Sequence, residues 1–190
     1  MASASLARRK ILTGAGLDII VDPADMDEGA FKRQNTTLNM STMALGLATE
    51  KAKAVSKRHP DTVVIGADQT MVCGGTPYDK PPNLAAARYQ LQALRGRAHT
   101  LHSAVSVIRD GDLLWSVVDD AHMTMRPFDD AFLDAYLAQS GDAVLSSVGC
   151  YRLEERGAHL FSHIDGDFFT ILGLPLLPLL QFLRTEGVLH

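Results

Sequence analysis

Cysteine is scarce: Cys73 and Cys150 are the only two in 190 residues. Far apart, and in a chain with no secretory signature, they predict a reduced, cytosolic compartment in which both act as small hydrophobes. Basic charge is short as well, with 18 Lys and Arg against 22 Asp and Glu and a formal net charge of −4. Counterion release on a nucleic-acid polymer needs a basic surface, so this balance argues against such a partner. A small anionic ligand is still open to the chain, because it needs only a few locally placed cations. Long apolar runs are missing. The stretch after Arg8, Arg9 and Lys10 is broken by Gly14, Gly16 and Asp18, and residues 171–183 are interrupted by Pro175 and Pro178. Neither serves as a signal core or a bilayer span, so no membrane segment is expected.

Several catalytic signatures are absent too. There is no Gly-rich Walker loop, no Rossmann fingerprint and no nucleophile elbow, which argues against dinucleotide redox and covalent acyl chemistry. Seven histidines do not supply a metal centre by spacing. On a strand, His99 and His102 would point to opposite faces, and His159 with His163 has no nearby third ligand in sequence.

What is present is an ordinary globular composition, 46% hydrophobic, in a chain long enough for one domain or two closely packed lobes. Helical and strand periods alternate, which predicts a mixed α/β fold. Helices are expected over residues 5–13, 42–59, 83–94, 129–139 and 176–186. Strands are expected over residues 17–21, 63–70, 100–108, 113–125, 151–153 and 159–164, with a hairpin turn at Asp110-Gly111. Residues 22–28 read as an acidic loop, and residues 164–175 as a turn, an apolar strand and a Gly-Leu-Pro helix start. No linker composition separates two domains, so residues 1–190 are read as a single domain.

The run Val63-Val-Ile-Gly-Ala-Asp68-Gln69-Thr70 stands out. A β-branched apolar strand ending on a carboxylate places that group where ligands collect in open α/β sheets, and a carboxylate there needs a partner or a role. Four further groups point to phosphate chemistry, each with a bland alternative. Ser3, Ser5, Arg8 and Arg9 gather at a helix start whose free N–H groups favour anions; the same residues also read as a capped, solvated helix. Asp25, Asp27 and Glu28 form a hard-cation site only if they converge with Asp68, and otherwise are solvated surface. Lys51, Lys53 and Lys80 could neutralise a polyphosphate, Lys80 being held by the following Pro81-Pro82 pair. The tail from Ile164 to Pro175 is either a tight packing motif or part of the site.

Taken together these segments resemble the Maf family of nucleoside triphosphate pyrophosphatases. The resemblance runs from Ser3-Ala-Ser5-Leu-Ala-Arg8-Arg9 through Asp27-Glu28, residues 50–54 (Glu-Lys-Ala-Lys-Ala), Gly66-Ala-Asp68-Gln69, Lys80-Pro81, Gly149-Cys-Tyr151 with Glu154, and Ile164-Asp-Gly-Asp167 to Gly173-Leu-Pro175. It implies a mixed sheet with flanking helices in two lobes around a deep nucleotide-binding cleft, and a homodimer. The implied reaction is hydrolysis of a nucleoside triphosphate to the monophosphate and pyrophosphate with a divalent cation, Mg²⁺ or Mn²⁺. Asp68 matches the catalytic aspartate and Glu28 an acidic residue of the active site, the two together being the expected metal ligands. Ser5, Arg8, Lys51 and Lys80 match positions along the phosphate path.

Three positions bear on the base. Gln69 and Glu154 look like the 7-methyl-GTP-type branch, while Ala7 stands where that branch has tryptophan and the dTTP/UTP-type branch has arginine. The lost aromatic removes a stacking surface for a cationic base. Leu6 for the usual proline, and Ser146-Ser147-Val148 before Gly149, are further departures. The family is also associated with inhibition of septum formation, so a nucleotide-binding regulator with little turnover is a rival reading. An enzyme of the inosine triphosphate pyrophosphatase type is another.

Overall fold

The computed structural model describes residues 1–189. Its elements are α1 (Leu6–Gly14), α2 (Glu28–Gln34), α3 (Met40–Ser56), β1 (Val64–Cys73), β2 (Thr76–Tyr78) and α4 (Leu84–Leu94). There follow β3 (Ala98–Arg109), β4 (Asp112–Met125), α5 (Asp130–Ser140), β5 (Phe161–Asp165), α6 (Phe168–Ile171) and α7 (Leu176–Thr185). The five strands form one sheet in the order β2-β1-β3-β4-β5. Strand β2 pairs antiparallel with β1, and β5 with β4, where His122 lies opposite Asp165.

Helix starts are set by side-chain oxygens taking up free N–H groups of the first turn. Ser5, Asp27, Asn39, Asn83, Asp129 and Asp167 do this for α1, α2, α3, α4, α5 and α6. The chain forms two compact units. The first comprises Met1–Gln69, His102–Asp119 and Asp167–His190, and the second Thr70–Leu101 and Asp120–Gly166.

In the first unit, alternation along the strands sorts side chains onto two faces. Ile65, Ala67, Val105 and Val107 pack with Ile11 and Leu12 of α1 and with Leu176, Leu179 and Leu183 of α7. The other set meets α3: Val64 and Ile108 pack with Ala52 and Val55, and Ala104 with Ala44 and Ala48. Thr49 of α3 is hydrogen-bonded to Ser106 at 2.7 Å on this same face. Gly66 is the closest approach, since a Cβ there would run into the Ala48 carbonyl oxygen and lie 2.8 Å from the Ala52 methyl.

In the second unit α4 packs on α5, with Arg88 donating to Asp134 at 2.9 Å and Arg95 to Asp130. His99, Tyr151 and Phe161 form an aromatic cluster, the Tyr151 and Phe161 rings meeting edge-on at 4.8 Å. Cys73 and Cys150 are both buried free thiols.

Five local expectations are corrected. Asp68 does not close its strand: β1 runs on to Cys73, held by pairing of Met71, Val72 and Cys73 with β2, so the carboxylate lies in mid-strand. Residues 17–21 are not a strand: the Met1 ammonium donates to the Ile20 carbonyl at 2.6 Å and the Asp22 N–H to the Met1 carbonyl, so this segment bonds to the N-terminus. Residues 151–153 lie outside any strand, and Tyr151 is buried by its ring contacts instead. The apolar run after Asp167 is helix α6, because the Asp167 carboxylate accepts from the Phe169 and Thr170 N–H groups at 2.9 and 3.1 Å and closes a helical turn. The acidic loop stops at Asp27, which caps α2, so Glu28 is a first-turn residue rather than loop.

Candidate active site

Alternation along β1 sends Asp68 to the α3 face, and α3 meets it with Lys51. That lysine lies on the buried side of its helix among Ala44, Ala48, Ala52 and Val55. The Lys51 ammonium lies 2.5 Å from Asp68 Oδ1 and 2.8 Å from Glu28 Oε1. Side-chain exposure is 11% for both Lys51 and Asp68 but 49% for Glu28, so the cluster is closed at its base and open at the glutamate. Three residues separated by many positions in the chain thus converge: Glu28 through the Asp27 cap that starts α2, Lys51 through its place on α3, and Asp68 through the strand period.

Arg8 meets the same stretch of β1 through the Ala67 carbonyl. Its Nε donates to the Gly173 carbonyl at 2.8 Å, and its Nη1 to the Ala67 carbonyl at 2.8 Å and to Ser3 Oγ at 3.1 Å. These bonds spend three of the five guanidinium donors and leave the two on Nη2 without a protein acceptor among the described residues. Burial pushes the guanidinium below its ordinary pKa, and the charges of Asp68 and Glu28 pull it back up. The two carboxylates thus pair directly with Lys51 and feel the charge of Arg8. Gly173 completes the cradle: its φ of +94° is left-handed, and a Cβ would lie 3.3 Å from Arg8 Nη2.

Gln69 points to the opposite face from Asp68. Its Nε2 lies 2.9 Å from Ser103 Oγ, 3.2 Å from the Thr170 carbonyl and 3.1 Å from the Ile171 carbonyl. Carbonyl oxygens only accept, so the amide nitrogen must face them, leaving Oε1 as the group still available. Ser103 donates to Thr170 O at 2.7 Å, and Thr170 Oγ1 donates to Asp119 at 2.6 Å. This Ser103–Thr170–Asp119 network was not singled out in the sequence. The available signal was a serine buried inside the apolar strand β3.

The remaining expected residues are placed as follows. Ser5 caps α1 by accepting from the Arg8 N–H at 3.4 Å. Ala7 is half-buried on α1 and Arg9 is exposed. Lys53 lies away from the carboxylate cluster, pairing with Glu50 at 3.1 Å on the helix surface. Lys80 and Glu154 belong to the second unit, where Glu154 accepts from Arg152 at 3.3 Å.

Among the described residues no group of three or more His, Cys, Asp or Glu side chains is arranged to hold a metal ion. Mg²⁺ does not require one, because it is commonly held through one or two carboxylates together with water and substrate phosphates. The Asp68 and Glu28 pair fits that mode and not an all-protein cage.

A family model described as "Maf-like protein" matches residues 1–186. Proteins named nucleoside triphosphate pyrophosphatase are similar over the whole chain. The one from Bradyrhizobium diazoefficiens is 50% identical over 189 residues, covering 100% of this chain and 94% of the relative. That from Nitrobacter hamburgensis is 48% identical with the same coverage, and that from Granulibacter bethesdensis 49% identical over 191 residues, covering 100% and 97%. With the family model matching residues 1–186 and these relatives about half identical over the whole chain, the chain belongs to the Maf family.

Proposed function

We propose that this protein is a house-cleaning nucleoside triphosphate pyrophosphatase, cleaving the α–β phosphoanhydride to a nucleoside monophosphate and pyrophosphate. The observation that carries this is the Asp68–Lys51–Glu28 cluster, buried at Asp68 and Lys51 and open at Glu28, in a chain about half identical to proteins bearing that name. In the reaction, a water gives its proton to Asp68 as its oxygen bonds to the α-phosphorus, and the bond to the bridging oxygen breaks to release pyrophosphate. Lys51 holds Asp68 in place and, with the free Nη2 of Arg8, offsets charge developing on the phosphoryl oxygens. Asp68 and Glu28 would hold a divalent cation, Mg²⁺ or Mn²⁺, which supplies Lewis-acid polarisation of a phosphoryl oxygen. Residues 1–190 work as one catalytic domain.

For the base, the orientation of Gln69 leaves a carbonyl acceptor. That acceptor, with the resemblance of Gln69 and Glu154 to the 7-methyl-GTP-type branch, favours a base edge rich in donors, as in a 7-methylguanine-type purine, over one presenting mainly acceptors.

The test is pyrophosphate release from a panel containing 7-methyl-GTP, GTP, ITP, UTP and dTTP, with Mg²⁺ or Mn²⁺. Turnover of at least one nucleotide is expected, with Asp68→Asn lowering kcat about a hundred- to ten-thousand-fold, the range for losing a general base. No pyrophosphate from any nucleotide would overturn the enzyme reading. An unchanged Asp68→Asn rate would remove Asp68 from the chemistry, and a preference for UTP and dTTP would overturn the reading of Gln69 and Glu154.

A further inference from the structure

The carboxylates that suit a divalent cation already share a cation of the protein's own. Lys51 Nζ sits between them at 2.5 Å from Asp68 and 2.8 Å from Glu28, on a side chain that leaves the buried side of α3 and is only 11% exposed. A buried carboxylate is costly unless paired, and here Asp68 and Glu28 both pair with Lys51, with the charge of Arg8 close enough to be felt by both. A dication arriving alone would add two positive charges where an ammonium already lies within contact distance of both its ligands. The same dication carried on a triphosphate arrives with the phosphate negative charges that Lys51 and Arg8 can then face.

We propose that Lys51 acts as a resident counter-cation that bars divalent metal from the nucleotide-free site, so that metal enters only together with the polyphosphate. This rests on the pyrophosphatase reading and adds an order of binding to it. In the free enzyme Lys51 bridges the two carboxylates; on binding, it turns toward phosphate oxygens and yields the carboxylates to the metal. Free divalent cation is then not held idle in the site, and the carboxylates remain charge-paired between turnovers.

The experiment is titration of Mn²⁺ into the nucleotide-free protein, followed by loss of the free-ion electron paramagnetic resonance signal. Wild type and Lys51→Arg are expected to show no saturable site below about millimolar Mn²⁺, because both keep a cation at this position. Lys51→Met is expected to bind one Mn²⁺ at least tenfold more tightly, and adding Glu28→Gln to it should abolish that gain. Thermal unfolding gives a second readout with wild type alone: Mn²⁺ leaves the midpoint unchanged, while Mn²⁺ with inorganic pyrophosphate raises it above pyrophosphate alone. Micromolar Mn²⁺ binding to the nucleotide-free wild type would overturn the proposal, whether or not Lys51→Met folds. So would equal affinities in wild type and a folded Lys51→Met protein, or a midpoint raised by Mn²⁺ alone. Turnover on the nucleotide panel is scored separately, so a wild type that bars free Mn²⁺ and releases no pyrophosphate would count against the enzyme reading, not against the metal exclusion.

Discussion

Neighbouring residues do unrelated work here because a strand sends them to opposite faces. Asp68 meets Lys51 on α3, whereas Gln69 meets Ser103 and the last carbonyls of α6. Asp68 was legible in the sequence as a carboxylate on a buried apolar strand, though the strand runs on past it to Cys73. Its partner was not, since no local pattern distinguishes Lys51 from Lys53, and only their places around α3 make one a site residue and the other a surface pair with Glu50. His99 has a different consequence. It is 3% exposed, bonded through Nε2 to the Tyr151 hydroxyl at 2.8 Å, with Nδ1 unpartnered among the described residues. Burial pushes its pKa down to about 4. The unfolded chain, with an ordinary histidine near 6.5, takes up the proton first as pH falls. Stability is therefore whole above about pH 6.5 and declines by about 1.4 kcal/mol per unit toward pH 4, roughly 3 kcal/mol in all. Urea midpoints measured from pH 7.5 to 4.5 check this: His99→Asn should flatten the decline relative to wild type, and parallel curves would show that His99 does not cause it.

The site's spacing is set at the level of elements by how closely β1 and α3 approach. Gly66 and the small residues Ala44, Ala48 and Ala52 let the two backbones come together, which brings Lys51 within reach of Asp68. Gly66→Ala should destabilise the protein by about 1–3 kcal/mol through overpacking. It should also lower turnover by moving Lys51 away from the carboxylate, and denaturant melts with nucleotide assays would read the two effects. A neutral result in both would mean that α3 shifts freely. Helices were legible where an Asx or Ser cap met a helical apolar period, as in α1, α4 and α5. Helix α2 was passed over because acidic residues around Asp27 and Glu28 read equally as solvated loop, although a cap, a first-turn glutamate and the closing Lys32 and Arg33 were all there. The strand expected after Asp167 failed for the converse reason: its apolar composition suits either state, and the Asp167 cap chose the helix.

For the whole molecule, the acidic balance carries a simple expectation. With a net charge of −4, fluorescence anisotropy with a 30-mer duplex should show no binding at micromolar protein and 0.15 M salt, and saturation there would contradict it. The association state is a further proposal carried by the family resemblance: sedimentation equilibrium should return twice the 20.6 kDa chain mass, and a monomer across the micromolar range would refute it. No helix among the described residues is long and apolar enough to cross a membrane. The sequence by itself determined most of the alternation of helix and strand, the starts of α1, α4 and α5, and a carboxylate on the buried strand β1, because these depend on near neighbours in the chain. Its ordered motifs determined the family. Only the tertiary structure decided that Glu28, Lys51 and Asp68 share one charge cluster, that Arg8 clamps Ala67 and Gly173, and that Gln69 turns its nitrogen to Ser103 and the carbonyls of α6. Those are contacts between residues far apart in the chain, and they exist because strand alternation and the close Gly66 approach fix which face each side chain meets.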